Sequence, residues 1–434
     1  MQTRRQFLGT SAGVGLAVAA NDNIQIALIG AGGMGMGDAR YALQIPGVKL
    51  VAACDIYDGR LTRSKENWGP GLATTRDYRE VLARKDVDAV IIATPDHWHA
   101  RISIEALKAG KDVYCEKPMV QSLGEGHAVI DAQRQTGRIL QVGSQYVSSA
   151  VYLKARDMIA AGAVGEVNMV EAWLDRNTAQ GAWQYSIPPD ASPATVDWDR
   201  FLGKAPKRPF EAIRLFRWRN YRDYGTGVAG DLFVHLLSGL HLVMNSIGPA
   251  RIFATGGLRY WRDGRDVPDV MLAGLDYPKT AEHPEFTLSL RVNFASGLPR
   301  ESFGFRFIGK EGTLTTSMGS LTLMKTPPEP EPGYSISTFP KAVQEQFLKE
   351  YRQKYPERPK GEAPPSTEER FAPPAGYDAH LEHHRNFYAA LRSRKPFIED
   401  ALFGFRAAGP ALACNTSYFE KRIVKWDPRG MKAG

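Results

Sequence analysis

Residues 24–35 read Ile24-Gln25-Ile26-Ala27-Leu28-Ile29-Gly30-Ala31-Gly32-Gly33-Met34-Gly35, and the fold is decided here. A largely apolar run that ends on glycine predicts a buried strand entering a turn. Gly30, Gly32 and Gly35 fill the spacing G-x-G-x-x-G. The first glycine allows the tight turn, the second lets backbone approach a pyrophosphate, and the third lets the helix pack on the strand. Gly37 to Leu43 then reads as helical, with the free N–H groups at the helix start aimed at phosphates.

Context strengthens this glycine turn. A second strand, K-L-V-A-A-C, ends at Asp55, twenty residues past Gly35. An acid at that place binds the adenosine ribose hydroxyls and favours NAD over NADP. Alternation continues with a helix over 77–83, the strand V-D-A-V-I-I-A-T-P, a helix over 99–109 stopped by Gly110, the strand K-D-V-Y-C-E-K-P, a helix over 121–136 and the strand I-L-Q-V-G-S. Alternating β and α segments of this kind predict a doubly wound parallel sheet. The expected NAD-contacting residues are Gly30, Gly32, Gly33, Met34, Gly35, Asp55, Thr94, Pro95, His99, Glu116 and Lys117.

Composition excludes several other classes. The 434 residues are 43% hydrophobic and 24% charged, enough to bury a full core, so disorder is not a reading. Net charge is +8, but the 55 Lys+Arg are scattered without a basic block, which argues against nucleic acid. No stretch of 18 or more apolar residues occurs, so no membrane span is expected. Cys54, Cys115 and Cys414 read as buried free thiols. Residues 1–20 carry Arg4-Arg5 ahead of Phe7-Leu8, a short uncharged Gly/Ala stretch and Ala17-Val18-Ala19. That pattern reads as a twin-arginine export signal, implying a periplasmic protein folded before transport.

Three segments together, G-A-G-G-M-G, T-P-D-H-W-H with A-G-K-D-V-Y-C-E-K-P, and G-D-L-F-V-H, resemble the glucose–fructose oxidoreductase/inositol dehydrogenase/MocA (Gfo/Idh/MocA) family of sugar oxidoreductases. The resemblance continues into R-F-I-G-K-E-G-T-L and K-W-D-P. It implies an α/β chain with an N-terminal Rossmann domain (21–145) and a C-terminal α+β domain (146–400) built on an open, mostly antiparallel sheet. One face of that sheet would cover the active site and the other would join subunits into a homo-oligomer, a dimer or tetramer. Residues 401–434 would add a final helix and tail returning to the first domain. The resemblance also places Lys117 of Glu116-Lys117-Pro118 beside nicotinamide and substrate, with Asp231 and His235 completing the catalytic group. The bond before Pro118 is often cis in the family, and the same is expected here.

The residue types suit these roles. Lys117 ends a sheet strand, where ligands bind in open α/β folds, and Pro118 restricts its backbone. Asp231 and His235, four apart in a segment that reads as helical, would share one face, the carboxylate orienting the imidazole. Many relatives carry a second acid three residues after that histidine; this chain has Ser238. Gln145 and Tyr146 at the end of the last Rossmann strand, and Arg217, Arg219 and Tyr221 in F-R-W-R-N-Y-R-D-Y, are the expected substrate contacts. Aromatic faces and guanidinium donors suit a sugar. His97 is expected in a loop role. His380, His383 and His384 read as part of a solvated amphipathic helix, with no metal site.

Residues 327–374 hold 11 of the 28 prolines and read as an irregular excursion with one short helix near 341–353. The expectation from all of this is an exported, NAD-dependent oxidoreductase acting on a sugar or glycoside hydroxyl, with its cofactor retained. The alternatives are an NAD-dependent glycosidase using transient oxidation, with Tyr146 or Tyr221 as second base, and a non-catalytic dinucleotide- and sugar-binding protein.

Overall fold

The computed structural model describes residues 23–325, 333–356, 367–395 and 397–434. The export signal expected over 1–20 and parts of the proline-rich excursion lie outside these residues. The first sheet contains β1 (Ile24–Ile29), β2 (Val48–Cys54), β3 (Ala73–Thr75), β4 (Ala89–Ile92), β5 (Asp112–Glu116) and β6 (Leu140–Gly143), in the order β3-β2-β1-β4-β5-β6. Every pairing is parallel. β1, β4, β5 and β6 are buried on both faces apart from Gln25, which explains their near-continuous apolar character. The order reverses between β1 and β4, and their C-terminal ends frame the crevice where a dinucleotide binds.

The second sheet has ten strands: β7 (Val167–Asp175), β8 (Arg251–Gly257), β9 (Val270–Tyr277), β10 (Phe286–Asn293), β11 (Ser302–Gly309), β12 (Gly312–Thr316), β13 (Leu321–Lys325), β14 (Thr367–Phe371), β15 (Val424–Asp427) and β16 (Lys432–Ala433). Its order is β14-β13-β12-β11-β7-β10-β9-β8-β15-β16, with β7–β10 the parallel pair among antiparallel neighbours. β8 and β9 alternate buried with exposed residues, so one face packs inward against the helices Ala150–Ala160, Val234–Met244 and Ala401–Glu420.

Three expectations change. The proline-rich excursion is not wholly irregular: after the helix Lys341–Lys354 the chain rejoins the sheet as β14, an edge strand paired with β13. The helix Ala379–Ser393 belongs to the first domain's packing, although it falls inside 146–400. Phe387, Tyr388, Ala390 and Leu391 bury against Ile26, Leu28 and Ile91 of β1 and β4. For the same reason His383 and His384 are not solvated; they are 1% and 0% exposed. His384 stacks on Tyr114, and His383 meets the Val142 carbonyl at 2.8 Å. Among the described residues no cluster could hold a metal ion, and no helix is long and apolar enough to cross a membrane.

The connection from β7 to β8 returns over the first domain before reaching the second sheet. Tyr57 and Val196 form an isolated antiparallel bridge, Asp58 N–H donates to the Thr195 carbonyl, and Asp197 N–H donates to the Ile56 carbonyl. Tyr57, Val196, Phe201, Leu202, Leu215, Phe216, Tyr221 and Tyr224 form a satellite core beneath this strap. The strap therefore closes one wall of the crevice.

Candidate active site

The glycine turn has the close approaches that its sequence predicts. Gly30 has φ +95°, and a Cβ there would stand 2.5 Å from the Ala93 carbonyl oxygen. A Cβ on Gly35 would stand 2.0 Å from the Gly30 carbonyl oxygen, so helix Gly33–Ala42 can seat on β1 only with glycine there. Gly33 has open space where its Cβ would be, and no side chain caps this helix. Asp55 Oδ2 accepts from Ala31 N–H at 2.8 Å and Oδ1 accepts from Tyr57 N–H at 3.0 Å. The acid thus braces the glycine turn as well as facing the crevice. Arg60 lies 3.4 Å from Asp55 Oδ2.

A cavity of about 800 Å³ runs from this turn to Lys117. Gly30, Gly32, Gly33, Met34, Asp55, Thr94, Pro95, Glu116 and Lys117 line it. Thr94 Oγ1 is buried with no partner among the described residues, and the uncapped helix start and open Gly33 leave donors and space for a pyrophosphate. These features fit a dinucleotide. His99 also lines the cavity, but its ring nitrogens reach the Pro118 carbonyl at 2.8 Å and the Thr94 carbonyl at 2.7 Å. Burial pushes it down to about 4, so the neutral ring donates to one carbonyl at a time. It ties two cavity loops together and does not offer a nitrogen to a ligand. His97 has the same kind of role, between the Phe201 and Tyr224 carbonyls.

At the other end, the Lys117–Pro118 bond is cis, and Lys117 Nζ donates to Asp231 Oδ1 at 2.9 Å and to its carbonyl at 3.0 Å. Arg219 Nε donates to the same Oδ1 at 3.3 Å. Burial by itself would raise the Asp231 carboxyl; Lys117 and Arg219 overcome it and hold the group well below the usual carboxylate range. Asp231 lies in a wide π-type turn, Ala229–Phe233, that runs directly into the helix Val234–Met244. That turn breaks the α-helical spacing, and Asp231 does not hydrogen-bond His235 as the four-residue spacing predicts. Both cations are bonded to its Oδ1. His235 is half-buried, with no partner for Nδ1 among the described residues and the Tyr146 ring edge-on at 5.7 Å. Burial, reinforced by Lys117, pushes its pKa well below the ordinary histidine value.

The remaining expected substrate contacts divide. Arg219 lines the cavity, with its guanidinium 4.2 Å from the Trp218 ring centroid. Tyr146 packs between His235, Phe303 and His380. Gln145 turns away, donating to Glu116 Oε1 at 2.5 Å and to the Tyr114 hydroxyl at 3.0 Å. Arg217 is not in the cavity wall: it holds the strap through the Tyr185 carbonyl at 2.9 Å and through Gln184. Tyr221 is buried in the satellite core under Arg214, which removes it as a second base. Gln180, Tyr185, Ser186, Trp218 and Asp96 also line the cavity. Sequence reasoning missed them as site residues, although Trp218 sits inside the flagged aromatic–basic segment and Asp96 inside T-P-D-H-W-H.

Fold and site define a two-domain dinucleotide-binding protein with a lysine–aspartate pair at the far end of the cofactor crevice. The sequence model described as GFO_IDH_MocA, oxidoreductase family, NAD-binding Rossmann fold, matches residues 24–144, the span of the first domain, and the first domain is an NAD-binding Rossmann domain. Inositol 2-dehydrogenase of Salmonella typhimurium is 33% identical over 132 residues, 30% of this chain and 39% of that protein. A glycosyl hydrolase family 109 protein of Shewanella baltica is 31% identical over 167 residues, 37% of this chain and 36% of that protein. The chain thus spans about two fifths of the length of the curated relatives it matches. Among solved structures, levoglucosan dehydrogenase in complex with NADH and L-sorbose superposes with TM-score 0.67 at 17% identity, covering 93% of this chain and 98% of that one. The WlbA dehydrogenase of Bordetella pertussis, in complex with NADH and UDP-GlcNAcA, gives 0.66 at 16% identity, covering 93% and 99%. At such identities the likeness establishes the shared two-domain fold.

Proposed function

We propose that this protein is an NAD-dependent oxidoreductase acting on a hydroxyl of a sugar or glycoside. The observation that carries the reading is the Lys117–Asp231 ion pair at the end of the cofactor cavity, with His235 on the helix that follows. The bound dinucleotide would accept or return hydride at its nicotinamide. Lys117, held in direction by two bonds to Asp231, would donate a hydrogen bond to the reacting oxygen and stabilise negative charge developing there. Burial keeps His235 neutral with a ring nitrogen open to accept the hydroxyl proton, and the nearby Asp231 charge works against the lowered basicity that burial imposes. Trp218 and Arg219 would supply a flat apolar face and donors to the sugar ring. The inositol and levoglucosan dehydrogenases named above support this substrate class.

Retention of the cofactor, export through the twin-arginine signal and homo-oligomer formation belong to the same reading. The strap bridged to Tyr57 and the satellite core beneath it favour slow cofactor release. The outer face of the ten-stranded sheet exposes Phe253, Leu272 and Met324, which suits a subunit contact. Resemblance to the family 109 glycosidase supports the second reading, transient oxidation followed by elimination. Burial raises Tyr146 to about 12, which makes it a poor second base in the resting state. The test is to purify the mature protein without added cofactor, look for bound NAD, and analyse products from a panel of sugars and glycosides. A keto sugar supports oxidation, a free aglycone supports the glycosidase reading, and no product from any of them overturns both.

A further inference from the structure

Asp96 opens the helix Asp96–Lys108 at the cavity wall and is 1% exposed. Its Oδ2 accepts from Thr226 N–H at 3.0 Å and from Thr226 Oγ1 at 2.7 Å. Its Oδ1 is buried with no partner among the described residues. A buried carboxylate oxygen left bare is costly when charged and much less so when it carries a proton. The charges facing Asp96 come from three other elements: Asp231 in the π-type turn, Arg219 in the 218–220 turn, and Lys117 after β5. His97 and His99, on its own helix, are held neutral by burial.

Thr226 passes this contact onward. A Cβ on Gly230 would stand 2.2 Å from Thr226 Cβ and 2.3 Å from its Oγ1, so the two residues are in tight contact. Asn415 Nδ2 holds the Thr226 carbonyl from the other side at 2.6 Å. The residue after Gly230 is Asp231. A continuous packed path therefore runs Asp96–Thr226–Gly230–Asp231, from the Rossmann domain to the carboxylate that holds Lys117.

We infer that Asp96 is a positioning residue for the reacting group: it fixes Asp231 through Thr226, and it sets the charge of the Lys117–Asp231–Arg219 cluster by holding or releasing a proton at Oδ1. With the proton on, two cations face one anion, and the net positive charge favours an alkoxide forming beside Lys117. With the proton off, the four groups are neutral in sum and that help is lost. Burial and the charge of Asp231 push the carboxyl up to about 7, against the pull of Arg219, Thr226 and Lys117, so both states are accessible near neutrality. The catalytic consequence rests on the hydroxyl-oxidation reading; the titration itself does not.

The test uses the full chain loaded with NAD. In protein labelled at aspartate carboxyl carbons, the ¹³C signal missing from Asp96→Asn is assigned to Asp96 and followed with pH. A midpoint within about one unit of 7 is expected; one near the ordinary aspartate value of about 3.9 overturns the inference. Wild-type turnover should fall with a step at the same pH. Asp96→Asn repeats the bonds to Thr226 but cannot ionise, so that step should vanish. Asp96→Ala releases Thr226 and should turn over about ten-fold more slowly than Asp96→Asn, the cost of losing buried hydrogen bonds. A purely structural Asp96 would leave the step intact in Asp96→Asn, and that result also overturns the inference. Should no sugar hydroxyl be oxidised by any form, the proposed function fails while the ¹³C midpoint still decides the charge of Asp96.

Discussion

The two ends of the cavity are built on different principles. At the adenosine end, the turn from Gly30 to Gly35 and Asp55 lie within 26 residues of one another, and backbone geometry does most of the work. At the Lys117 end, where the proposed reaction would occur, Lys117 and Arg219 converge on the continuous segment that carries Asp231 and His235, and side-chain charge does the work. The first end is assembled from residues close together in sequence. The second end exists only while the strap and the π-type turn are docked on the first domain. Damage to one end should therefore separate cofactor binding from turnover.

The largest effect should come from the reacting end. Lys117→Ala or His235→Ala is expected to lower turnover by roughly 100-fold or more, the usual range for acid–base groups, while NAD affinity persists. Steady-state kinetics beside a fluorescence titration of NAD would show this separation. Near-normal turnover in both variants would place the chemistry elsewhere.

Next comes the glycine turn. Gly35→Ala forces a methyl against the Gly30 carbonyl, which should cost roughly 1–3 kcal/mol of stability and weaken NAD binding at least about ten-fold. Gly33→Ala meets nothing within 4 Å and should cost no stability. Thermal melts of the two variants without cofactor separate close packing from open space; equal losses would contradict the contrast.

The pH dependence of stability should be dome-shaped. His97, His99, His235, His241, His383 and His384 are all pushed by burial below their ordinary value of 6.5. Depressed groups of this kind contribute stability above pH 6.5 that is lost as pH falls through their lowered values, about 4 for His97 and His99 and about 3 for His241, His383 and His384. Asp38, Asp96, Glu116 and Glu399 are pushed the other way by burial, Asp96 to about 7. Their contribution is full below their unfolded values near 4 and is lost as pH rises toward the folded ones. Below 6.5 the seven histidines, His380 included, outweigh the six raised acids, Asp266 and Asp400 included, and above it the acids still change while the histidines do not. A maximum near pH 6.5 follows, with about 1.4 kcal/mol per pH unit for each proton not matched. Melting temperatures that climb steadily from pH 5 to about pH 9 would refute this balance.

The smallest effect concerns cofactor choice. Asp55 repels a 2′-phosphate, and Arg60 offsets part of that charge from 3.4 Å. NAD should bind more tightly than NADP, by about ten-fold. Asp55→Asn should narrow the gap, and also loosen the turn by weakening the bond to Ala31 N–H. A wild-type preference for NADP in calorimetry would assign the phosphate to Arg60.

Much of the first domain was legible in the chain because its signals are local. Alternating strands and helices, the glycine spacing and Asp55 all report short-range geometry. That Lys117 and Asp231 meet was legible through family resemblance, and the mostly antiparallel second sheet likewise. What could not be read was the partner of each side chain. Arg217 and Arg219 are two residues apart in one segment, yet one holds the strap and the other reaches Asp231. Tyr146 stands beside His235, whereas Tyr221 is buried in a separate core.

The sequence alone determined the parallel sheet and the dinucleotide turn, because these follow from hydrophobic period, glycine conformation and motif spacing over a few residues, while Lys117, Asp231 and His235 came from the family resemblance as expectations. Tertiary structure decided that Asp231 serves Lys117 and Arg219 and not His235, that His383 and His384 are core residues, and that Asp96 faces the reacting end. Those outcomes depend on charge and burial set by contacts that join residues 114, 130 and 241 positions apart, which only the folded packing brings together.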